Sequence, residues 1–208
     1  MLVVHFSTHP QSPQCSEYVG NYMSQDKYFA DAAAYRLAEH TLLQKAGESV
    51  VIFSDVVTKI NKYYKPKDVA LMVTSEHFYK YDHKKYKQIK KPIPVASIKS
   101  VSLSPHEDTF VIVHMTPPER DLLLNLSVDG NNKVAEFVTM LQQIYTVLHG
   151  KALPVEFVQT VTLNLSRDAK KEGTPMNLTY QRDPEPHASG VSRFVALKKP
   201  NAAIYYTP

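Results

Sequence analysis

Lysines interleaved with tyrosines form the most distinctive chemical feature of this 208-residue sequence. The two runs are KINKYYKPK at 59–67 and FYKYDHKKYK at 78–87. Residues 51–100 contain eleven lysines against four acidic residues, a net charge of +7, whereas residues 1–50 and 101–208 carry net charges of −2 and −1. Ammonium groups concentrated in this way bind anions, so the pattern predicts a polyanionic partner.

Motifs for other chemistries are missing from the sequence. Cys15 is the only cysteine, which excludes an intrachain disulfide and a thiolate metal cage. The sequence has no HExxH, GxSxG or phosphate-cradling glycine motif, and His114 lies on a predicted strand beside apolar neighbours, as a core imidazole would. We therefore predict no enzyme activity, no catalytic residue, no metal site and no cofactor.

The lysine-rich runs lie in turns between short apolar segments that are rich in β-branched and aromatic residues, a pattern typical of strands. Alternating segments continue beyond them, so the pattern predicts about seven strands at short spacing and an antiparallel barrel or sandwich. The strand candidates are Val50–Val57, Val69–Thr74, His77–Tyr81, Ser100–Ser104, Phe110–His114 and Leu122–Leu126.

Two segments have the apolar spacing of helices. The first extends from a plausible N-cap at Ser24 to a stop at Gly47, and it would cover one side of the sheet. In the second, Asn131 or Asn132 provides the cap, Gly150 follows the end, and the apolar stripe would plug the open end of a barrel. The stripe comprises Val134, Phe137, Val138, Leu141, Ile144, Tyr145 and Leu148.

The length supports one substantial core rather than two domains. We divide the chain into an N-terminal arm (1–23), a helix packed on the barrel (24–47), the barrel with its capping helix (48–150) and a C-terminal β extension (151–208). No apolar run approaches the roughly 20 residues that cross a bilayer, and the start lacks the features of a signal peptide. These features predict a cytoplasmic protein.

Several motifs follow one another over about residues 49–158: Asn61-Lys62 to Lys65-Pro66, Tyr79-Lys80-Tyr81-Asp82, Pro92-Ile93-Pro94, Ile98 to Ser104, the segment DLLLNL, and LPVEF after the second helix. Together they resemble the tail homology domain of class I myosins. This resemblance implies an α+β fold: a pleckstrin-homology-like antiparallel β-barrel capped by a C-terminal amphipathic helix, here as a tail domain without a motor.

The resemblance implies peripheral binding to anionic phospholipids, with a phosphoinositide headgroup held near the first two strands. Lys59 matches the lysine late in the first strand, and Lys65-Pro66-Lys67 matches part of the basic element that opens the second. The last basic position of the family pattern falls at Val69. The resemblance further implies a location on the cytosolic face of membranes and a link to actin-cytoskeleton adaptors.

Lysines on neighbouring loops can face one membrane plane, where each contributes about 1 kcal/mol near an anionic leaflet. Tyr63 and Tyr64, at the tip of the first loop, are candidates for insertion at the interface, where tyrosine is favoured. The predicted lipid-binding lysines are Lys59, Lys62, Lys65, Lys67, Lys80, Lys84 and Lys85.

Three alternatives remain open from the residues alone. The lysines could form a solvated face while the tyrosines pack against the barrel. The same lysines and tyrosines could bind single-stranded nucleic acid by holding phosphates and stacking on bases. The chain could also be a protein-interaction module for a cytoskeletal adaptor.

Overall fold

The computed structural model describes residues 47, 51–61, 65–106, 108–128, 131–165, 176–184, 193–196 and 202–207. The predicted arm at 1–23 and the predicted helix at 24–47 lie outside these residues, apart from Gly47, which has a φ of +72°. In the described part of the chain, no helix is long and apolar enough to cross a membrane.

An eight-stranded sheet forms the larger part of the described fold. Its hydrogen-bonded order is β10-β5-β6-β7-β1-β2-β3-β4, and every neighbouring pair is antiparallel except β10 with β5. The strands are β1 (Val51–Ile60), β2 (Pro66–Thr74), β3 (His77–Tyr81), β4 (Ile93–Pro94), β5 (Ile98–Leu103), β6 (Phe110–Met115), β7 (Leu122–Asn125) and β10 (Val155–Phe157).

This sheet is mostly antiparallel, as the alternating segments predict, but its order begins and ends at different strands. The closed barrel is therefore not confirmed. Strand β10 belongs to the predicted C-terminal extension by position, yet it pairs in parallel with β5 and lengthens the first sheet. The domain boundary near residue 151 stays a prediction.

One face of the eight-stranded sheet and a single described α-helix enclose the main core. Helix α1 (Val134–His149) follows β7 after a small two-stranded ladder of β8 (Ser127–Val128) and β9 (Asn131–Asn132). Phe137 is fully buried in the helix and meets Phe53 of β1 edge-on, with ring centroids 5.1 Å apart. The helix thus packs its apolar stripe on one face of the sheet, whereas the expected plug at the open end of a barrel is not confirmed, because the sheet is not closed.

The C-terminal end of α1 agrees with the sequence, whereas its N-cap residue is Lys133 rather than Asn131 or Asn132. Asn132 Oδ1 accepts a hydrogen bond from the Val134 N–H at 2.9 Å, and Gly150 ends the helix with a φ of +65°. Leu148, however, was expected in the core and is 45% exposed. Tyr145 is the last buried residue of the helix, so its final turn projects beyond the core.

A second, four-stranded sheet packs against the other face of the first. Its order is β11-β12-β14-β13, where β12 and β14 are parallel and the other pairs antiparallel. The second core between the sheets includes Phe110 of β6, which stacks on Tyr205 at 4.2 Å between centroids. The strands are β11 (Thr160–Leu163), β12 (Met176–Arg182), β13 (Arg193–Ala196) and β14 (Ala202–Thr207).

We expect Phe137→Ala to lower the free energy of unfolding by about 3–5 kcal/mol, since it removes a buried ring and leaves a cavity beside Phe53. Val147→Ala is the matched control on the same helix, because Val147 is 85% exposed and its truncation should change stability by about 0.5 kcal/mol or less. Urea unfolding followed by circular dichroism measures both. Equal effects would show that α1 does not cap the core.

Candidate functional site

Three of the predicted lipid-binding lysines lie on the face of the first sheet that builds the main core. Lys59 of β1 pairs with Lys67 of β2, two residues beyond the buried pair Val57 and Val69. Lys80 of β3 pairs with Leu71 of β2. Because paired residues project to the same side of a sheet, all three lysines extend from the core face at one end.

These lysines line a cavity of about 790 Å³. Six cationic side chains, two carboxylates, one amide and seven apolar residues surround it, so cations outnumber acids three to one. The charged lining residues are Lys59, Lys67, Lys80, Lys90, Lys91, Arg120, Glu119 and Asp121.

Backbone hydrogen bonds place the cations that come from loops. The Ile89 N–H donates to the Lys80 carbonyl oxygen at 2.8 Å, and Gln88 forms a bridge with Tyr81. The segment after β3 therefore folds back along that strand and brings Lys90 and Lys91 to the cavity. Arg120 comes from the segment between β6 and β7.

Asp121 lines the cavity, but its carboxylate is engaged elsewhere. It accepts hydrogen bonds from the Met115 N–H at 3.0 Å and the Asn164 N–H at 2.8 Å, and its Oδ2 lies 3.1 Å from His114 Nδ1. His114 Nε2 lies 2.8 Å from Ser102 Oγ. The imidazole therefore has hydrogen-bond partners within the fold, as predicted. The Asp121 carboxylate links the two sheets and forms no ion pair with any described lysine of the cavity.

Burial weakens two of the cavity lysines, Lys59 and Lys80, as bases. Desolvation, followed by repulsion from neighbouring cations, lowers the pKa of Lys59 to about 8. Lys80 is only 9% exposed, and its pKa also falls to about 8, through desolvation and then the charge of Lys90. Both remain mostly protonated at neutral pH, so positive charge is held in a site that disfavours it.

The other predicted site residues lie elsewhere. Lys65, Lys84 and Lys85 are exposed and do not line the cavity. Asp82 Oδ1 accepts hydrogen bonds from the N–H groups of Lys84 and Lys85, at 3.1 and 3.0 Å, which fixes their turn. The predicted residues Lys62, Tyr63 and Tyr64 lie outside the described part of the chain.

Three cations that line the cavity are absent from the lipid-binding residues predicted from the sequence. Lys90 and Lys91 belong to the same basic segment as Lys84, and a count of charge per loop would have included them. Arg120 lies some 30 residues further on in the sequence, next to Glu119 and Asp121, in a segment without net positive charge. Only the fold brings it to the cavity.

The described structure thus combines two packed sheets with a cationic cavity. Within the described residues, no cluster of three or more histidine, cysteine or acidic side chains could hold a metal ion. The family described as "Unconventional myosin tail, actin- and lipid-binding" matches residues 10–193. The chain belongs to this family.

Relatives agree with the family match. The chain is 35% identical over 191 residues to myosin IF heavy chain of Dictyostelium discoideum, covering 91% of this chain and 18% of the relative. It is 35% identical over 146 residues to myosin IE heavy chain of the same organism, covering 70% and 14%. The chain therefore spans less than a fifth of these relatives.

Among solved structures, the chain is similar to the hSac2 domain from the human phosphoinositide phosphatase Sac2. The TM-score is 0.43 at 16% identity, over 79% of this chain and 96% of that domain. A likeness at this level says nothing about function.

We expect Lys80→Met to raise the free energy of unfolding at pH 7 by about 1 kcal/mol, since it removes a buried charge that the fold disfavours. In the original protein this cost is fully present below pH 8 and disappears as the pH approaches 10.5, because the folded state releases the proton first. Lys80→Met should therefore flatten the rise in stability between pH 8 and 10.

Denaturant unfolding at several pH values measures this difference, with Lys84→Met as the exposed control. Burial raises the pKa of Tyr81 to about 12, so above pH 10 the unfolded chain loses this proton first and the folded state becomes less stable. The unfolding measurements should therefore stop near pH 10. A Lys80→Met variant less stable than the control at pH 7 would contradict the expectation.

Proposed function

We propose that this chain is a non-enzymatic peripheral membrane-binding module that holds the headgroup of an anionic phospholipid, phosphoinositides included, in the cationic cavity. The family description names lipid and actin binding. We propose four further points: the class of headgroup, the cavity as its binding site, a location on the cytosolic face of the membrane, and a connection to actin-cytoskeleton adaptors.

The observation that carries the proposal is a pair of lysines, Lys59, which is partly buried, and Lys80, which is buried. Among the described residues, neither Lys59 nor Lys80 forms an ion pair with a carboxylate, and Lys59 Nζ donates a hydrogen bond to the Ile60 carbonyl oxygen at 3.1 Å. Two partly desolvated ammonium groups that repel each other leave an unfavourable potential that a phosphate would relieve. Each charge-assisted hydrogen bond to such a phosphate contributes about 1.5–3 kcal/mol.

Exposed lysines add a different kind of attraction. Lys65, Lys84 and Lys85 lie outside the cavity and remain hydrated, so each contributes about 1 kcal/mol at most near an anionic leaflet. Screening acts strongly on such charges, over a length of about 8 Å at physiological salt. The proposed module therefore combines a salt-sensitive outer attraction with a headgroup site that salt affects less.

The family pattern supports the same location. Lys59 and Lys67 occupy two of its basic positions and face each other across β1 and β2. Val69, at the third position, forms part of the cavity wall, while Lys80 and Arg120 supply positive charge from other strands and loops. A pleckstrin-homology-like barrel remains part of the proposal, supported by the way seven strands of one sheet and α1 share the main core.

The nucleic-acid alternative loses two of its aromatic residues. Tyr79 and Tyr81 are buried in a small cluster with Ala70 and Met72, on the outer face of the sheet. Side chains held in this way cannot stack on bases. The lysines alone do not favour nucleic acid over a membrane.

We expect Lys59→Met/Lys80→Met to abolish the preference for phosphoinositide vesicles over vesicles with the same charge from phosphatidylserine. The matched pair Lys84→Met/Lys85→Met should weaken binding to both vesicle types equally, since those lysines act only as surface charge. Vesicle co-sedimentation at two salt concentrations measures both pairs.

Two results would contradict the proposal. In the first, the protein pellets equally with neutral and acidic vesicles. In the second, a folded Lys59→Met/Lys80→Met variant still prefers phosphoinositide vesicles. Thermal unfolding provides the check that each variant is folded. A single-stranded oligonucleotide of matched charge that displaces all bound protein from vesicles would favour the nucleic-acid alternative.

Headgroup binding should weaken as the pH rises from 7 to 9. Lys59 and Lys80 lose their protons near pH 8 in the free cavity, whereas a bound phosphate keeps them charged, so binding takes up protons. Each coupled lysine reduces affinity by about tenfold over this range. Calorimetry with a soluble inositol phosphate measures the change, and an affinity independent of pH would show that these lysines do not contact the ligand.

A further inference from the structure

The mouth of the cavity carries apolar side chains that a phosphate site alone does not require. Ile89 is 38% exposed, Pro118 is exposed and Pro92 is partly exposed, and all three line the cavity. Ile89 is thus one of the few large apolar residues that the described structure leaves in contact with solvent. Ile89 is followed by exposed Lys90, so an apolar side chain and a positive charge lie side by side at the mouth.

Two cations of the cavity lie deeper than its exposed apolar residues, while exposed lysines and buried apolar side chains also line it. The buried Lys80 and the partly buried Lys59 lie on the strands, whereas Ile89, Pro92 and Pro118 lie on the loops that form the rim. A volume of about 790 Å³ falls near the upper end of the range that encloses most of a drug-sized ligand. A ligand that places phosphates at Lys59 and Lys80 would bring its adjoining atoms beside the exposed Ile89 and Pro118.

We propose that the cavity recognises a single anionic glycerophospholipid beyond its headgroup: the phosphates contact Lys59 and Lys80, while the glycerol backbone and first acyl carbons contact Ile89, Pro92 and Pro118. This inference rests on the proposed function, because it concerns the same site. It adds a second determinant, the apolar stem of the lipid, to the charge of the headgroup.

Backbone geometry holds the two determinants at a fixed spacing. The Ile89 N–H donates to the carbonyl oxygen of Lys80 at 2.8 Å, so the apolar contact and a phosphate-binding lysine are joined by one hydrogen bond. The Gln88 side chain also donates to the Lys90 carbonyl oxygen at 2.8 Å, which restrains the turn that carries Ile89. A pre-organised rim loses little conformational entropy when a lipid binds.

The arrangement also fits a membrane. Surface charge alone gives weak and reversible residence, and stable anchoring requires a second signal. With the headgroup drawn into the cavity, the rim meets the boundary between headgroups and acyl chains. There Lys90 and Lys91 can lay their hydrocarbon stems against lipid and keep their ammonium groups at the phosphates.

The test compares inositol 1,4,5-trisphosphate with dioctanoyl phosphatidylinositol 4,5-bisphosphate, kept below its micelle concentration, by calorimetry at one salt concentration. The free headgroup carries more negative charge than the lipid, so charge alone favours the headgroup. We expect the lipid to bind about tenfold more tightly, because its stem buries apolar surface. Equal affinities, or a tighter headgroup, would overturn the inference and leave the proposed function intact.

Ile89→Ser should reduce lipid affinity about three- to tenfold and change headgroup affinity less than about twofold. Val147→Ser is the matched control, since Val147 is exposed on α1 and does not line the cavity, and it should change neither. If Ile89→Ser weakens both ligands equally, Ile89 supports the loop and the inference fails. If neither ligand binds the original protein, the proposed function fails as well.

Discussion

The register of one strand pair determines where the charges of this fold point. Nine residue pairs join β1 to β2, and within this ladder Lys59 faces Lys67 on the core side while Ile60 enters the second core on the other side. Because side chains alternate along a strand, a slip of one residue would exchange these faces. Lys59 would then meet the apolar space between the two sheets, and the cavity would lose its first cation. The hydrophobic pattern that fixes the register therefore fixes the site too.

Asp121, which lines the cavity just before β7, links the first sheet to the end of β11 in the second. Its carboxylate binds backbone N–H groups on both sides of the sheet interface, and the Asp121 N–H donates to the Asn164 carbonyl oxygen at 3.0 Å. A carboxylate committed in this way leaves much of the lysine charge uncompensated. The hydrogen bonds among Ser102, His114 and Asp121 resemble a catalytic relay, but Ser102 and His114 do not line the cavity. Their described contacts are those of a structural network that joins strands.

Local sequence patterns predicted the individual helix and strands. How these elements pair and pack could be seen only in the structure. The apolar stripe of α1 and the strands around Val57 and Ile112 follow periodicities that a sequence displays directly. The parallel addition of β10 depends on a partner more than 50 residues away, and nothing within Val155–Phe157 specifies it. The same limit applied to the site. Lys59 and Lys80 belong to a visible cluster of charge, but their burial and the arrival of Arg120 depend on long-range packing.

The position of β14 has a consequence for the order of folding. This strand lies inside the second sheet, between β12 and β13, although it comes last of the four along the chain. During synthesis, β11 and β12 can pair as soon as both have left the ribosome, but β13 has no neighbour in that sheet until residues 202–207 appear. Until then, the outer face of β6 and β7, with Phe110 and Leu123, lacks Tyr205, which later covers it. The described core between the two sheets is therefore completed only when residues 202–207 join the second sheet.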